Sequence, residues 1–242
     1  MFVHGINSVA EALESAKSKI RRIVVARGKG SSRLQEIIRL AKSKGVPVTF
    51  EPVDALDRKT EGQKHQGILA ELSEVEYSSL EEILKATPKM LLLVDGVEDP
   101  RNLGAVLRTA EAAGVDGILL PHRHTCGITP AAVKTSAGAA LHLKICRIGN
   151  VAQTLGQLKE AGFWTVGLDT EGEEGFSQLE PDLPLVLVVG GEDRGLRRLV
   201  RQNCDFLIRL PIFGNVSSLN LSVAAGIAIY AIRLGWGRRA DS

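Results

Sequence analysis

Several features that mark other protein classes are missing from this 242-residue chain. It contains no run of 18 or more apolar residues, so no membrane-spanning helix is predicted. Its first residues lack a basic segment followed by an apolar stretch, so no secretion signal is expected. Its three cysteines are scattered and odd in number, which is typical of reduced cytosolic thiols and not of a disulfide framework. We therefore expect a cytoplasmic protein with no membrane partner.

Three motifs of common enzyme classes are absent as well. The chain has no G-x-x-x-x-G-K-[ST] sequence, which argues against a P-loop nucleotide hydrolase. No G-x-G-x-x-G sequence follows a predicted strand, and no G-x-S-x-G sequence occurs, so neither the dinucleotide-binding fingerprint nor the common hydrolase triad has support. The segment HRHTC holds His122, His124 and Cys126, but a clear fourth ligand is lacking and we predict no metal site.

Positive charge is concentrated in the amino-terminal part of the chain. Residues 1–72 contain 13 Lys or Arg and 8 Asp or Glu, a net charge of +5, whereas residues 73–242 contain 17 and 20, a net charge of −3. Such a cluster fits either a solvated surface or a surface that contacts the phosphates of nucleic acid. Its members are Arg21, Arg22, Arg27, Lys29 and Arg33.

Strands that alternate with helices predict a small α/β domain over residues 1–72. Its strands are expected at IRRIVVAR, VPVTF and HQGILAEL, and its helices at SVAEALESA, with Asn7 as cap, and at SSRLQEIIRLAKSKG. The acidic, polar residues 73–89 are predicted to be a linker with a short helix at SLEEILKA. The alternative is a surface helix of one larger domain.

A second α/β domain is predicted over residues 90–242. Its strands are expected at MLLLVDG, DGILLP, FWTVGL, LPLVLVVG and FLIRLP, and its helices at LGAVLRTAEAAG, VAQTLGQLKEAG, RGLRRLVRQNC and LNLSVAAGIAIYAIRLGW. The last helix is apolar nearly all round, so it should be buried against the sheet or against another subunit.

Two polar loops follow predicted strands of this domain, and ligands of open α/β sheets bind beyond the carboxyl ends of strands. In DGVEDPRNLGAVLR, Asn102 stands at a plausible helix cap and Arg108 lies about a turn beyond it. In VVGGEDRGL, Gly190 and Gly191 allow the close approach of a backbone or a ligand. Glu192 begins the following helix, where a carboxylate suits the helix dipole. Plain structural roles remain alternatives for all of them.

The third polar loop, LPIFGNVSSLNL at 210–221, is the most informative. It places Ser217, Ser218 and Asn220 where the last helix begins, which is more polar side chains than capping requires. Free backbone N–H groups at the start of a helix favour ligand binding. We therefore expect a binding site at this helix N-terminus.

In their order and spacing, the three loops resemble the three motifs of the SpoU/TrmH family of RNA ribose 2′-O-methyltransferases. The segments that carry the resemblance are NLGAVLRTAEAAGVDGILLP, LVVGGEDRGL and LPIFGNVSSLNLSVAAGIAIY. The front part, with HGINSVAEAL and HQGILAEL, resembles the small RNA-binding domain of the RlmB-type members, which modify a guanosine ribose in 23S ribosomal RNA.

The resemblance implies an α/β fold of the SPOUT type with a carboxy-terminal trefoil knot, preceded by the small RNA-binding domain. It also implies that the second and third loops hold S-adenosyl-L-methionine in a bent shape. Gly190 and Gly191 would admit this cofactor, and backbone groups around Leu210 and Leu219 would hydrogen-bond it. No metal is implied. SPOUT enzymes are typically homodimers, which the apolar last helix allows.

The family's active residues correspond to Asn102, Arg108, Glu192, Ser218 and Asn220. Two roles remain open for Arg108: acceptor of the ribose proton, or a clamp on the adjacent phosphate that stabilises a developing alkoxide. The expected substrate is 23S ribosomal RNA. Transfer RNA, ribosomal RNA at an antibiotic site, and a non-catalytic role in RNA binding or ribosome assembly are the alternatives.

Overall fold

The computed structural model describes residues 1–15, 19–28, 30–73, 75–174, 184–191 and 195–240. Contacts divide the chain into two compact units. The first unit consists of Met1–Glu76 and Ile128–His142, and the second of Tyr77–Gly127 and Leu143–Ser242. The expected domain bounds run continuously along the chain, so the assignment of Ile128–His142 to the first unit is a finding of the tertiary structure.

The described residues form ten strands, nine α-helices and a 3₁₀ turn. In chain order they are β1 (Phe2–His4), α1 (Ile6–Ser15), β2 (Ile20–Ala26), α2 (Ser32–Ser43), β3 (Val48–Glu51), α3 (Val53–Lys59), β4 (Ile68–Leu72), α4 (Leu80–Lys85), β5 (Met90–Val94), α5 (Pro100–Ala112), β6 (Gly117–Pro121), α6 (Pro130–Thr135), the 3₁₀ turn (Ala139–Leu141), β7 (Ile145–Ile148), α7 (Val151–Glu160), β8 (Trp164–Glu174), β9 (Leu185–Val189), α8 (Arg198–Gln202), β10 (Phe206–Arg209) and α9 (Leu221–Ala240).

The first unit is built on a four-stranded sheet in the order β1-β4-β2-β3. Strand β2 pairs parallel with β3 and antiparallel with β4. Helix α2 is confirmed where the apolar spacing predicted it, with the Ser31 side chain accepting the N–H of Leu34 at 3.1 Å as its cap. The cap predicted at Asn7 is wrong, because α1 already begins at Ile6. The N–H of Ile6 is instead satisfied by Gln66 Oε1 at 2.9 Å.

The second unit contains a six-stranded, wholly parallel sheet in the order β10-β8-β9-β5-β6-β7. Every residue of β5, β6 and β9 is buried. Runs of this kind are typical of parallel strands that are covered on both faces. Because all six strands point the same way, the loops that follow them meet at one edge of the sheet, where α/β folds bind their ligands.

The start of α5 differs from the prediction. The helix begins at Pro100, and the Asp99 side chain caps it by accepting the N–H of Arg101 at 2.8 Å. Proline suits the first turn because its missing N–H would have no partner there. Asn102 therefore lies inside the first turn, and its prediction as the cap is wrong. Its side chain is free of the capping role.

The last helix, α9, packs on α5 and is only partly buried. Its buried face is formed by Leu221, Ala225, Ala228, Ile229 and Ile232. Arg233 Nε donates to the carbonyl of Ala113 at 2.7 Å and so satisfies the carboxyl end of α5. The opposite face of α9 is an exposed apolar stripe, so this chain alone does not bury the helix fully. No described helix is long and apolar enough to cross a membrane.

Candidate active site

A cleft of about 380 Å³ opens at the carboxyl edge of the parallel sheet. The middle of β8, the ends of β9 and β10, the loop after β10 and the first turn of α9 form most of its walls. Its volume lies within the range of about 300–1,000 Å³ typical of small-molecule sites. The lining residues are Leu168, Asp169, Thr170, Val189, Gly190, Gly191, Gly195, Arg201, Arg209, Leu210, Ile212, Ser217, Ser218, Leu219, Leu221 and Ala224.

The structure brings the four predicted cofactor residues together at this cleft. Gly190, Gly191, Leu210 and Leu219 all line it, although 19 to 29 positions separate the glycines from the leucines. Ser218, from the predicted catalytic set, lines it too. Apolar side chains beside a few polar groups are typical of small-molecule sites. The individual roles of these residues stay predictions.

Neighbouring backbone atoms leave no room for a side chain at Gly190 or Gly191. A Cβ atom on Gly190 would lie 2.1 Å from the carbonyl carbon of Gly195. A Cβ atom on Gly191 would lie 2.5 Å from the carbonyl oxygen of Gly96. The sequence allows either a backbone segment or a ligand to approach these glycines closely. In the structure, backbone atoms lie against both Cα atoms. The chain can therefore fold back over the end of β9.

The first and third predicted loops meet through two amide side chains. Asn220 Nδ2 donates to Asn102 Oδ1 at 3.3 Å, across 118 positions of sequence. Asn220 Oδ1 accepts from the N–H of Ser222 at 2.9 Å and from its hydroxyl at 2.6 Å. Asn220 thus caps α9 and orients Asn102 at the same time.

Of the other two members of the predicted catalytic set, only Arg108 lies in the described part of the chain, and it does not line the cleft. Arg108 is exposed on α5 and forms no hydrogen bond or ion pair with any described residue. Glu192 lies outside the described residues. The predicted catalytic set therefore remains a prediction.

An ion pair between a buried carboxylate and an exposed arginine fixes the loop after β5. Asp95 is 2% exposed and accepts two hydrogen bonds from Arg197, at 2.8 Å from Nε and 2.8 Å from Nη2. The N–H of Asp95 also donates to the carbonyl of Val189 at 2.8 Å. A bidentate pair of this kind is directional as well as strong. It holds the loop after β5 against the start of α8.

The sequence analysis missed the charged wall of the cleft. Asp169, a buried residue within β8, pairs with Arg201 at 3.0 Å, and Arg201 also pairs with Glu171. Arg201 Nε is buried and has no hydrogen-bond partner among the described residues. The available signal was the polar sequence DTEG after FWTVGL, but sequence alone does not show that β8 lies beside β9 in the sheet.

Cys204 and Asp205 lie next to this wall at the end of α8. Burial raises the pKa of the Cys204 thiol to about 12. The pKa of Asp205 is lowered, because hydrogen bonds from Lys159 and from Thr165 outweigh the opposing effect of burial. The described residues include no group of three or more His, Cys, Asp or Glu side chains close enough to hold a metal ion, and the metal-free site stays a prediction.

Two protein-family models match this chain. Residues 89–230 match the SpoU rRNA Methylase family, and residues 2–78 match the family described as RNA 2′-O ribose methyltransferase substrate binding. Each matched range covers most of one expected domain and extends into the predicted linker, to residue 78 in one case and from residue 89 in the other.

Curated relatives match over nearly the whole chain. The putative TrmH family tRNA/rRNA methyltransferase YacO of Bacillus subtilis is 40% identical over 96% of this chain and 94% of its own length. The 23S rRNA (guanosine-2′-O-)-methyltransferase RlmB of Pseudomonas putida is 38% identical over 94% of both chains.

Solved structures share the fold. The rRNA methyltransferase of Sinorhizobium meliloti with bound AdoMet aligns with a TM-score of 0.75 at 25% identity, over 97% of this chain and 87% of that one. The SpoU methyltransferase AviRb of Streptomyces viridochromogenes, in complex with the cofactor AdoMet, aligns with a TM-score of 0.76 at 22% identity, over 100% and 91%.

Proposed function

The chain belongs to the SpoU rRNA methylase family, and we propose that it transfers a methyl group from S-adenosylmethionine to the 2′-hydroxyl of a guanosine ribose in 23S ribosomal RNA. Its membership of the SpoU/TrmH family makes it an RNA methyltransferase, whichever RNA it acts on. The choice of 23S RNA follows the similarity to RlmB.

One observation supports the proposal most strongly. Three loops that follow β5, β9 and β10 converge at one edge of the sheet, and the residues predicted for cofactor binding line a single cleft there. The hydrogen bond between Asn220 and Asn102 links that cleft to the first loop. No local property of the sequence requires this convergence.

Some residues at the cleft would bind the cofactor, and others would orient neighbouring side chains. Bound S-adenosylmethionine would supply an electrophilic methyl group on a positively charged sulfur. Leu168, Leu210 and Leu219 would exclude water from the cofactor, while Ser218 lies on the same wall. The hydrogen bond from Asn220 would orient the side chain of Asn102.

Arg108 fits a phosphate clamp better than a proton acceptor. Its guanidinium is exposed and has no partner among the described residues, so it is available for two parallel hydrogen bonds to a phosphate. A guanidinium offers hydrogen-bond donors and no acceptor, which opposes a role as base. We propose that Arg108 holds the phosphate next to the reacting ribose and stabilises negative charge on the 2′-oxygen.

Replacing Arg108 tests this role. In Arg108→Ala we expect methyl transfer to fall by about 10²- to 10³-fold, the usual effect of losing one stabilising donor. S-adenosylmethionine binding, measured by calorimetry, should stay unchanged. Arg101→Ala is the control on the same helix, because that arginine already pairs with Asp99 at 3.2 Å. Near-normal turnover of Arg108→Ala would remove it from the mechanism.

The substrate is tested by tritiated methyl transfer. Unmodified 23S ribosomal RNA, 16S ribosomal RNA and transfer RNA are each incubated with the protein and labelled cofactor, and the labelled nucleotide is then located. We expect 2′-O-methylguanosine in 23S RNA. Label only in transfer RNA, or only at an antibiotic site of ribosomal RNA, would support those alternatives. Absence of cofactor binding would support a non-catalytic RNA-binding protein.

We also propose that the protein is a homodimer. The exposed stripe on α9 comprises Val223, Ile227, Tyr230 and Leu234, with exposures of 49%, 46%, 43% and 65%. Their spacing of four, three and four residues places them on one helix face. A second copy of the chain would remove this apolar face from water. A cytoplasmic location and the trefoil knot stay predictions.

A further inference from the structure

The segment His122–His124, here called the cationic turn, follows β6 and has no role in the function proposed above. Strand β6 lies next to β5 in the parallel sheet, so the turn is at the same edge as the candidate active site. His122, Arg123 and His124 are all exposed. The next residue, Thr125, is buried.

A single arginine fixes the backbone beneath the turn. Arg147 Nη2 donates to the carbonyls of His122 at 3.2 Å and Thr125 at 3.4 Å, and its Nη1 donates to the carbonyl of Cys126 at 3.1 Å. A guanidinium has a planar set of donors, so three carbonyls bound to it are held in one arrangement.

The neighbouring loops hold the turn from both sides. The N–H of His122 donates to Ile148 at 2.9 Å, and the N–H of Cys126 donates to Val97 at 2.8 Å. Thr125 Oγ1 accepts the N–H of Gly96 at 3.0 Å. The turn is therefore connected to the loop after β5, which leads into α5 and Asn102.

One residue of the turn has an uncommon backbone conformation. His124 has φ of 59°, in the left-handed region that few residues other than glycine adopt. A conformation of this kind persists only where the surrounding contacts impose it. The hydrogen bonds of Arg147 to the carbonyls of His122 and Thr125 lie on either side of His124.

The side chains that the turn presents have no partners within the described part of the chain. His122, Arg123 and His124 make no hydrogen bond or ion pair with any described residue. The loop after β5 has three acidic residues, and Glu98 forms no ion pair with the turn. Asp95 is paired with Arg197, and Asp99 pairs with Arg101 and caps α5. A fixed backbone thus presents one permanent positive charge and two imidazole donors to solvent.

We propose that the cationic turn binds phosphates of the substrate RNA beside the modified nucleotide. Arginine and imidazole N–H groups donate to phosphate oxygens, and such contacts set the register of an RNA without reading its bases. The position beside the loop after β5 would orient the strand at Asn102. This inference rests on the proposed function only for the identity of the RNA.

The test compares a variant of the turn with a matched control. The triple variant H122A/R123A/H124A removes the side chains of the turn, and Lys89→Ala with Lys144→Ala removes two exposed charges at the amino ends of β5 and β7, the opposite edge of the sheet. Fluorescence anisotropy with an unmodified 23S rRNA transcript, over a salt series, gives the dissociation constant Kd and its salt dependence for each complete protein.

For the turn variant we expect Kd to rise about tenfold or more and the salt dependence to become shallower, as for any lost phosphate contact. KM for RNA should rise with kcat unchanged at saturating RNA, and cofactor binding should equal that of the wild type. Arg123→Lys should lose less affinity than Arg123→Ala because it keeps the charge. An unchanged Kd, or an equal loss in the control, would overturn the inference.

Failure of the proposed function gives a different result. If the wild type binds the transcript, methylates no RNA and loses affinity in the turn variant, the proposed function is wrong and the turn is still an RNA-binding site. A second variant, Arg147→Met, keeps the side chains of the turn but releases its backbone. It should weaken RNA binding as well, and wild-type affinity there would contradict the role of a fixed turn.

Discussion

Gly190 occupies the position in the cleft where a side chain would be hardest to accommodate. Its Cα faces the backbone of Gly195 and Leu196, and a Cβ would lie 2.1 Å and 2.4 Å from atoms of that backbone. Contacts this short require the backbone to move, since no flexible side-chain end can yield. The residue therefore determines whether the chain can fold back over the end of β9.

Gly190→Ala should displace the segment at Gly195 and deform the cleft. We expect S-adenosylmethionine affinity, measured by calorimetry, to fall at least tenfold, and the protein to lose stability by about 1–3 kcal/mol, the usual cost of overpacking. Gly149→Ala is the control, because a Cβ there meets nothing within 4 Å. Wild-type affinity in Gly190→Ala would contradict this account of the glycine.

Cys204 allows a prediction about pH. Burial raises its pKa from the ordinary value of 9.0 to about 12, and its thiol donates to the carbonyl of Val200 at 3.4 Å. The pKa of this thiol is higher in the folded chain than in the unfolded chain, so ionisation favours the unfolded chain. The free energy of unfolding should therefore fall as the pH rises above 9.

Iodoacetamide should therefore label Cys204 slowly in the folded protein. Only the thiolate reacts, and a shift of this size reduces the thiolate at pH 8 by about a thousandfold relative to the unfolded chain. Peptide mass spectrometry with and without urea measures the two rates. Equal rates in the folded and unfolded protein would show that the thiol is not held neutral by burial.

At the scale of elements, one side chain at the start of α9 both caps the helix and contacts the first turn of α5. Asn220 caps the helix through Ser222 and contacts Asn102 through its amide nitrogen. Helix capping requires only an acceptor, whereas the contact with Asn102 requires a side chain long enough to reach another helix. The two roles can therefore be separated by substitution.

Asn220→Ser should keep the cap but lose the contact with Asn102. We expect its free energy of unfolding to stay within about 0.5 kcal/mol of the wild type, and that of Asn220→Ala to fall by about 1 kcal/mol. Methyl transfer should fall in both variants. Urea unfolding and the tritium assay measure these effects, and full activity of Asn220→Ser would show that the contact is dispensable.

Elements with a strong local signal were predicted, even where they are short. The capping box of α4, in which Ser79 and Glu82 exchange hydrogen bonds at 3.1 Å and 2.8 Å, is visible in SLEEILKA. Strand β7 and helix α3 were missed. Helix α3 lacks such a signal, because no side chain caps it at Pro52.

For the whole molecule, the exposed stripe on α9 determines the expected assembly. A helix that is apolar all round was expected to be buried, and only one of its faces is buried within this chain. A second copy is the partner proposed for the other face. Charge introduced there should oppose association, because a buried unpaired carboxylate is costly.

Ile227→Glu should raise the dissociation constant of the dimer at least tenfold, which sedimentation equilibrium measures. Leu199→Glu is the control, because Leu199 is 66% exposed on α8 and lies outside the stripe. If the wild type sediments as a monomer at micromolar concentration, the proposal of a homodimer is wrong.

The sequence by itself determined the α/β class, the strands whose residues are all apolar, and the three loops whose motifs resemble the SpoU/TrmH family. These are local properties, since a run such as MLLLV or a capping residue acts over a few positions. The family assignment followed from such local motifs, and so did the prediction, implied by the resemblance, that Gly190, Gly191, Leu210 and Leu219 bind the cofactor.

Only the tertiary structure decided which strands are neighbours, and therefore which loops share an edge of the sheet. It placed Asp169 and Arg201 in the cleft, joined Asn220 to Asn102, and assigned Ile128–His142 to the first unit. It also showed backbone against the Cα atoms of Gly190 and Gly191. Such contacts join residues far apart in the chain, and their energies depend on strand order and packing that no local pattern encodes.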